Sequence, residues 1–96
     1  MDSIDALARA ICGQESGGNT KAYNALGKAK GKYQFQQGTW NSWCKAMGLK
    51  RYVGVDPRNV SGAIQDKVAR FAMGSLLKRY NGDPRYVAAA WYAGSW

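Results

Sequence analysis

One glutamate is the residue whose chemistry stands out in this chain. Glu15 is the only glutamate among 96 residues, and histidine is absent. Without histidine, Ser-His-Asp and Cys-His nucleophilic catalysis lack their base. Cys12 and Cys44 have no CxxC spacing, so they predict no zinc site and leave one disulfide or two buried thiols open. A lone carboxyl group therefore directs attention to general acid and base catalysis.

The position of Glu15 on its helix favours a protonated side chain. Residues 3–15 are predicted to form a helix, and Glu15 comes eleven residues after Ile4, within about 20° of it on the helical wheel. Glu15 thus belongs to the apolar stripe. Partial burial and the negative end of the helix dipole both raise a carboxyl pKa, and a protonated carboxyl is what a general acid needs. The alternative is a glutamate that ends the helix by bonding a backbone N–H or a lysine.

A second carboxylate partner for Glu15 is hard to find in the sequence. Glycoside hydrolysis commonly uses two carboxyl groups about 5 to 10 Å apart, whereas Asp5 lies about 15 Å away along the same helix. Asp66 is predicted to face water, and Asp56 and Asp83 are predicted to cap helices. A lone acid suits a reaction in which the substrate supplies its own nucleophile and the same carboxyl acts first as acid and then as base.

The elements that must position Glu15 are mainly helical. Besides the first helix, the apolar spacing predicts three more, which span residues 39–47 with Thr39 as N-cap, residues 61–80, and a last helix after Asp83-Pro84. Phe71 is expected on the buried face of the third helix. Residues 18–37 lack a helical period and are expected to carry a short strand at "KYQF" or a small hairpin. The expected fold class is mainly α (α+β), in one domain.

Composition narrows the class of protein without choosing a partner. The net charge is +8 at pH 7, which attracts polyanions such as nucleic acid, anionic lipid or wall polymers, or simply keeps a small domain soluble. No apolar run approaches the length of a membrane span, so no membrane insertion is expected. The acidic start "MDSIDALARA" shows no export signal, and the abrupt "AGSW" ending suggests a domain excised from a larger protein.

Three motifs in order resemble the soluble lytic transglycosylases, which share the goose-type lysozyme fold. They are "AICGQESGGN" around Glu15, "GKYQFQQGTW" at residues 31–40, and "VAAAWYAG" at residues 87–94. The second is particularly like the version found in phage-associated and secreted wall enzymes. The order and spacing agree over nearly the whole chain, so residues 1–96 are expected to form a single lysozyme-like transglycosylase domain.

The resemblance implies a specific reaction. The substrate would be the peptidoglycan glycan strand, cut between N-acetylmuramic acid and N-acetylglucosamine with closure of a 1,6-anhydro ring, with Glu15 as the sole acid and base and without metal or cofactor. Substrate-binding positions carry over from the motifs. They are Ser16, Asn24, Tyr33, Gln34, Trp91 and Tyr92. Alternation places Tyr33 and Phe35 opposite Gln34, so one set is core, and Ser16 is expected to help cap the helix end.

Two motif positions depart from the family pattern, and alternative functions stay open. Asn24 stands where serine is common, and Tyr92 replaces the motif asparagine. The alternatives are a lysozyme-like hydrolase, with Asp56 or Asn24 positioning water, a non-catalytic wall-binding module, and a basic nucleic-acid binder, for which no recognition motif is found. The expected location is the bacterial cell wall, as a monomeric domain or within a larger phage or secretion assembly, with no nucleic-acid partner.

Overall fold

The computed structural model describes residues 3–94 as a mostly helical domain with one small antiparallel sheet. This confirms the mainly α, α+β fold class. No helix in the described residues is long and apolar enough to cross a membrane. The elements in chain order are α1 (Ser3–Ser16), β1 (Tyr23–Asn24), β2 (Ala29–Lys30), α2 (Gln37–Ala46), 3₁₀ turns at Lys50–Tyr52 and Pro57–Asn59, α3 (Gly62–Arg79) and α4 (Pro84–Ala93).

Side-chain caps start the elements in the second half of the chain, as predicted. Asp56 and Asp83 each precede a proline, and each carboxylate accepts a hydrogen bond from the backbone N–H two residues later, at 2.9 and 3.0 Å. Ser61 accepts from the N–H of Ile64 at the start of α3. These caps satisfy backbone donors that have no partner inside the helix, and so they fix where each helix begins.

The predicted start of α2 at Thr39 is wrong. The helix begins at Gln37, and the N–H of Trp40 bonds the carbonyl of Gln36 at 3.0 Å, which places Thr39 inside the first turn. A tertiary contact explains the earlier start, because the Gln37 amide donates to the carbonyl of Val55 at 2.9 Å. Local cap preference is weaker than such a contact.

The core forms around α3, which packs against α1, α2 and α4. Phe35 and Trp40 are fully buried and meet edge to face with ring centroids 5.3 Å apart, and Trp91 meets Phe35 in the same way at 5.6 Å. This is the favoured geometry for aromatic pairs. The other buried apolar residues come from all four helices and include Leu7, Ala8, Ile11, Cys44, Val68, Ala69, Ala72, Met73, Leu76 and Val87.

The expectation that Phe71 is buried is wrong. Its side chain is 40% exposed, and its ring packs on Trp43 with centroids 6.0 Å apart. The centre of the α3 stripe is occupied by Val68, Ala72 and Leu76, whose spacing leaves position 71 on the flank of the helix.

A tight turn, rather than a strand, connects the hairpin to α2. Strands β1 and β2 pair antiparallel, which confirms the small hairpin, but "KYQF" contributes only an isolated bridge between Lys30 and Phe35. Gly31 and Gln34 have positive φ angles of 85° and 56°, which turn the chain between the two bridged residues. The expected alternation holds, because Tyr33 and Phe35 are buried and Gln34 is not.

Gln65 of α3 holds this turn in place from inside the core. It is fully buried, its Oε1 accepts from the N–H of Lys32 at 2.8 Å, and its Nε2 donates to the carbonyls of Val60 and Thr20 at 2.9 and 3.3 Å. A Cβ atom on Gly31 would lie 2.4 Å from Oε1 of Gln65. Glycine is therefore required here for two reasons, the positive φ and the close approach of Gln65.

Candidate active site

A cavity of about 200 Å³ lies where four elements meet: the end of α1, the hairpin, the start of α2 and the end of α4. It contains five of the seven residues predicted from the sequence. These are Glu15, Asn24, Gln34, Trp91 and Tyr92, and they are joined by Gly27, Ala29, Gln36, Thr39, Ala93 and Gly94. Residues far apart in the sequence thus converge on one small, mainly polar cleft.

Glu15 occupies the last turn of α1 and is half-buried at the wall of this cavity. Burial raises the pKa of its carboxyl group, because a low-dielectric surrounding disfavours the charged form. No hydrogen bond or ion pair to this carboxyl occurs within residues 3–94. With no cation or donor among these residues to oppose it, this shift favours the protonated form of the Glu15 carboxyl.

The end of α1 is fixed by the neighbour of Glu15 in sequence. The hydroxyl of Ser16 donates to the carbonyl of Lys32 at 2.6 Å and accepts from the N–H of Gly18 at 3.1 Å. Gly17, with φ 63°, donates to the carbonyl of Cys12 and terminates the helix, as a left-handed glycine commonly does. The bond from Ser16 to Lys32 joins the end of α1 to the turn after β2 and fixes the backbone next to Glu15.

Gln34 lines the same cavity as Glu15 and has an unusual backbone conformation. Its φ of 56° is rare for a residue with a Cβ, and it is held by two bonds to the carbonyl of Gly31, from its own N–H at 3.2 Å and from Nε2 at 3.0 Å. The amide oxygen of Gln34 has no partner in the described part of the chain. The strained residue therefore presents a hydrogen-bond acceptor to the cavity.

The hairpin contributes Asn24 to the lining of the cavity. Its Oδ1 accepts from the N–H groups of Leu26 and Gly27 at 3.1 and 3.3 Å, which is an Asx turn that shapes the hairpin tip. Its side-chain amide donors remain available to a ligand. Gln36 donates across to the carbonyl of Gly27 at 3.1 Å, so the tip is tied to the start of α2.

Trp91 and Tyr92 bring α4 into the cavity in different ways. Trp91 is only 4% exposed, and its Nε1 donates to the carbonyl of Tyr33 at 2.9 Å, so most of the indole belongs to the core and one edge reaches the cleft. Tyr92 is exposed, and its pKa is raised by burial and by the charge of Glu15. The second effect requires the phenol to be near the carboxylate.

Two predicted substrate-binding residues do not line this cavity. The hydroxyl of Ser16 is engaged in the bonds at the end of α1 described above. Tyr33 is 3% exposed and points the other way, donating its hydroxyl to Asp66 at 2.7 Å. Because Tyr33 and Gln34 are consecutive but differently directed, only Gln34 reaches the cleft. The structure thus places Ser16 and Tyr33 behind the cleft, as supports for its wall.

No aspartate within residues 3–94 lines the cavity beside Glu15. Asp56 is held by Arg58 and, at 3.6 Å, by Lys30, and its pKa is lowered to about 2 chiefly by the Arg58 hydrogen bonds. Asp56 is not among the residues that line the cleft. It is therefore not placed to position a water molecule there, as was considered. The expectation that Asp66 faces water holds only in part, because its side chain is 36% exposed while its Oδ1 accepts hydrogen bonds from Lys32 at 2.6 Å and from Tyr33 at 2.7 Å.

Gln36 and Thr39 were not predicted as site residues. Gln36 stands two positions after Gln34, so the same alternation that places Gln34 in the cleft was a usable signal. Thr39 was predicted to cap α2. Because α2 begins at Gln37, Thr39 lies inside the first turn, where it lines the cavity.

Cys12 and Cys44 are free thiols in this structure, so the interpretation as two thiols holds, but only Cys44 is buried and Cys12 is half-buried. Within residues 3–94 no three Asp, Glu, Cys or His side chains are grouped as metal ligands.

Comparison with known proteins points to one class, the transglycosylases. The chain is 42% identical over 67 residues to the probable transglycosylase SceD of Staphylococcus aureus strain Newman, and equally to that of strain USA300. The match covers 70% of this chain and 27% of each relative, so the chain spans about a quarter of the length of these proteins. No family model matches the chain. No solved structure matches it either.

Proposed function

We propose that this chain is a peptidoglycan lytic transglycosylase domain of lysozyme-like fold. It would cleave the β-1,4 bond between N-acetylmuramic acid and N-acetylglucosamine with formation of 1,6-anhydromuramic acid. The observation that carries the proposal is Glu15, a half-buried carboxyl with a raised pKa at the wall of a cleft that no aspartate of the described residues lines. The similarity to probable transglycosylases supports the same class of reaction.

The proposed reaction uses Glu15 twice. The protonated carboxyl donates its proton to the glycosidic oxygen, the bond from that oxygen to C1 of the muramic acid breaks, and positive charge develops at C1. The resulting carboxylate then takes the proton of the C6 hydroxyl while O6 bonds to C1. Glu15 ends the cycle protonated, so atoms and charge balance without a second protein carboxylate.

The other residues of the cleft have supporting roles in this proposal. The Gln34 amide oxygen and the Asn24 amide nitrogen come from two elements that line the cleft and suit N-acetyl and hydroxyl groups of a sugar. The edge of Trp91 and the exposed ring of Tyr92 offer apolar faces beside Glu15 and reduce the access of water to its carboxyl. The Asn24 Oδ1 atom is already engaged at the hairpin tip, which disfavours water activation by this residue and hence simple hydrolysis.

The domain would act at the bacterial cell wall, with glycan strands as its partner. Its positive charge supports attraction to anionic wall polymers.

The test is a digestion of purified peptidoglycan by the wild type and by Glu15→Gln, with mass spectrometry of the released muropeptides. We expect products one water lighter than hydrolysis products from the wild type and none from the variant. Asp56→Asn is a matched control, because it removes a carboxylate outside the cleft, and it should retain the products.

Full-mass reducing products would contradict the anhydro chemistry and favour a lysozyme-like hydrolase. Binding of the folded wild type to walls without any product would favour a wall-binding module. Persistence of anhydro products with Glu15→Gln would overturn the role of Glu15.

A further inference from the structure

A second cavity, of about 330 Å³, lies behind the cleft and shares no lining residue with it. Tyr33 lines the second cavity, whereas the next residue, Gln34, lines the first, so the turn at residues 31–34 separates the two. The second cavity is bounded by α1, by the glycines after α1 and by α3, and its charged side chains are Arg9, Lys32, Asp66 and Arg70. The proposed reaction uses none of them.

The acidic residue of this cavity, Asp66, has one carboxylate oxygen that accepts no hydrogen bond from the described residues. Both bonds to Asp66, from Lys32 and from Tyr33, end on Oδ1. Oδ2 has no partner in the described part of the chain. The Asp66 side chain is about one-third exposed, at 36%. Oδ2 can therefore receive a hydrogen bond from a ligand without loss of the existing bonds.

The basic side offers guanidinium donors. Arg70 bonds Asp5 through Nη2 alone, and Arg9 approaches the same aspartate through Nε at 3.4 Å. The remaining guanidinium nitrogens have no partner among residues 3–94. Asp66 and Arg70 are one helical turn apart on α3, a spacing that puts their Cβ atoms about 5–6 Å apart on one face. The two opposite charges do not pair with each other, since each has a different partner.

From this arrangement we infer that the second cavity binds a zwitterionic α-amino acid group, with the ammonium on Asp66 Oδ2 and the carboxylate on Arg70 and Arg9. Charge-assisted bonds of both kinds are the strongest that side chains make. An α-amino acid carries the two charges within a few ångströms, which suits opposite charges one helical turn apart. A peptide terminus carries only one of these two charges, so the ligand would be a free amino acid or the side-chain end of a diamino acid in a wall peptide, where both groups are free; this assignment rests on the proposed function.

The experiment is an NMR titration of ¹⁵N-labelled Glu15→Gln protein, which retains the second cavity and does not depend on turnover. The probes are D-alanine, N-acetyl-D-alanine, which lacks the ammonium, and D-alanine amide, which lacks the carboxylate. We expect saturable shifts from D-alanine at the amides of Gly13, Gly17, Gly18 and Lys32, and at least tenfold weaker binding of either blocked probe.

Variants test each charge separately. Asp66→Asn keeps an oxygen that accepts from the Tyr33 hydroxyl. It should reduce the affinity for D-alanine to about the affinity that the wild-type cavity has for N-acetyl-D-alanine. Arg9→Gln, at an exposed position, should weaken D-alanine and the amine-blocked probe equally. Arg85→Gln is the control for net charge, because Arg85 is highly exposed and pairs with Asp83 outside the second cavity. This variant should leave the affinity for all three probes unchanged.

Equal binding of N-acetyl-D-alanine and D-alanine would overturn the inference, because the site would then be one for anions only. Shifts confined to residues of the Glu15 cleft, or no saturable shift, would overturn it as well. If the protein turns over peptidoglycan but does not bind D-alanine, this inference is wrong and the proposed function stands. If it binds D-alanine but does not turn over peptidoglycan, the binding site stands, whereas its assignment to wall peptides and the proposed function are wrong.

Discussion

Replacement of Gly31 by alanine tests whether the turn before Gln34 depends on Gln65. Adoption of φ near 85° by a residue with a Cβ costs about 1–2 kcal/mol. The new Cβ would lie 2.4 Å from Gln65 Oε1, so the amide must move. Its bond to Lys32 N–H would be lost, and a buried polar group left without its partner costs about 1–3 kcal/mol. We expect Gly31→Ala to lower the free energy of unfolding by about 2–5 kcal/mol.

The assay is urea unfolding followed by tryptophan fluorescence, with Gly48→Ala as the matched control. Gly48 also has a positive φ, 74°, but a Cβ there would meet nothing within 4 Å. The control should lose only the backbone component of about 1–2 kcal/mol. Equal losses in the two variants would refute the argument that Gln65 excludes a side chain at position 31.

Three further predictions concern the site and its supports. The rate constant kcat/KM of the wild type should fall as pH rises through the raised pKa of Glu15, because only the protonated carboxyl can donate; a pH profile without such a fall between about pH 4 and 8 would contradict this. Trp91→Phe keeps an aromatic ring but loses part of the buried indole and its bond to the Tyr33 carbonyl, so it should destabilise the fold by about 1–3 kcal/mol or more in thermal unfolding, and an unchanged melting temperature would show that the bond contributes little. Asp56 has a depressed pKa of about 2, so its contribution to stability is present above its unfolded pKa of about 3.9 and is lost as pH falls toward 2. Asp56→Asn should therefore lower stability at pH 7 by about 1 kcal/mol or less and have a clearly smaller effect near pH 2, where the carboxyl is about half protonated; an equal loss at both pH values would argue against the ion pair with Arg58.

Much of the helical framework was predictable because its signals are local. Asp56-Pro57 and Asp83-Pro84 combine a capping carboxylate with a proline, and both start helical segments as expected. The first helix ends within one residue of its predicted limit, because Gly17 supplies a left-handed stop. Such features depend on residues close in sequence, and tertiary packing only reinforces them.

The failures involve contacts between distant segments. Thr39 has a good capping side chain, but the bond from Gln37 to the carbonyl of Val55 starts α2 earlier. Asp66 looked solvated on its own helix, yet it receives bonds from Lys32 and Tyr33, more than thirty residues away. A single sequence does not encode these partners in any local pattern.

The sequence predicted those site residues whose side-chain direction follows from helical periodicity, strand alternation or the order of the motifs. Glu15 was placed on the apolar stripe of its helix, and Gln34 was separated from its buried neighbours by alternation. The motif gave no means of placing Ser16 behind the cleft, since that depends on its bond to Lys32. It also gave no sign of the second cavity, whose lining combines α1 with α3 and a turn.

The two walls of the cleft differ in what holds them. Trp91 and Gln34 are backed by the core, whereas the tip of the hairpin is held by Asn24 and Gln36, and Leu26 at its end is 98% exposed. Changes of sequence or length at the tip would therefore leave the rest of the fold undisturbed. Selection for new ligands of this cleft, in nature or in the laboratory, should accumulate substitutions and insertions at residues 25–28, while the wall that contains Trp91 and Gln34 stays constant because its residues are needed for folding itself.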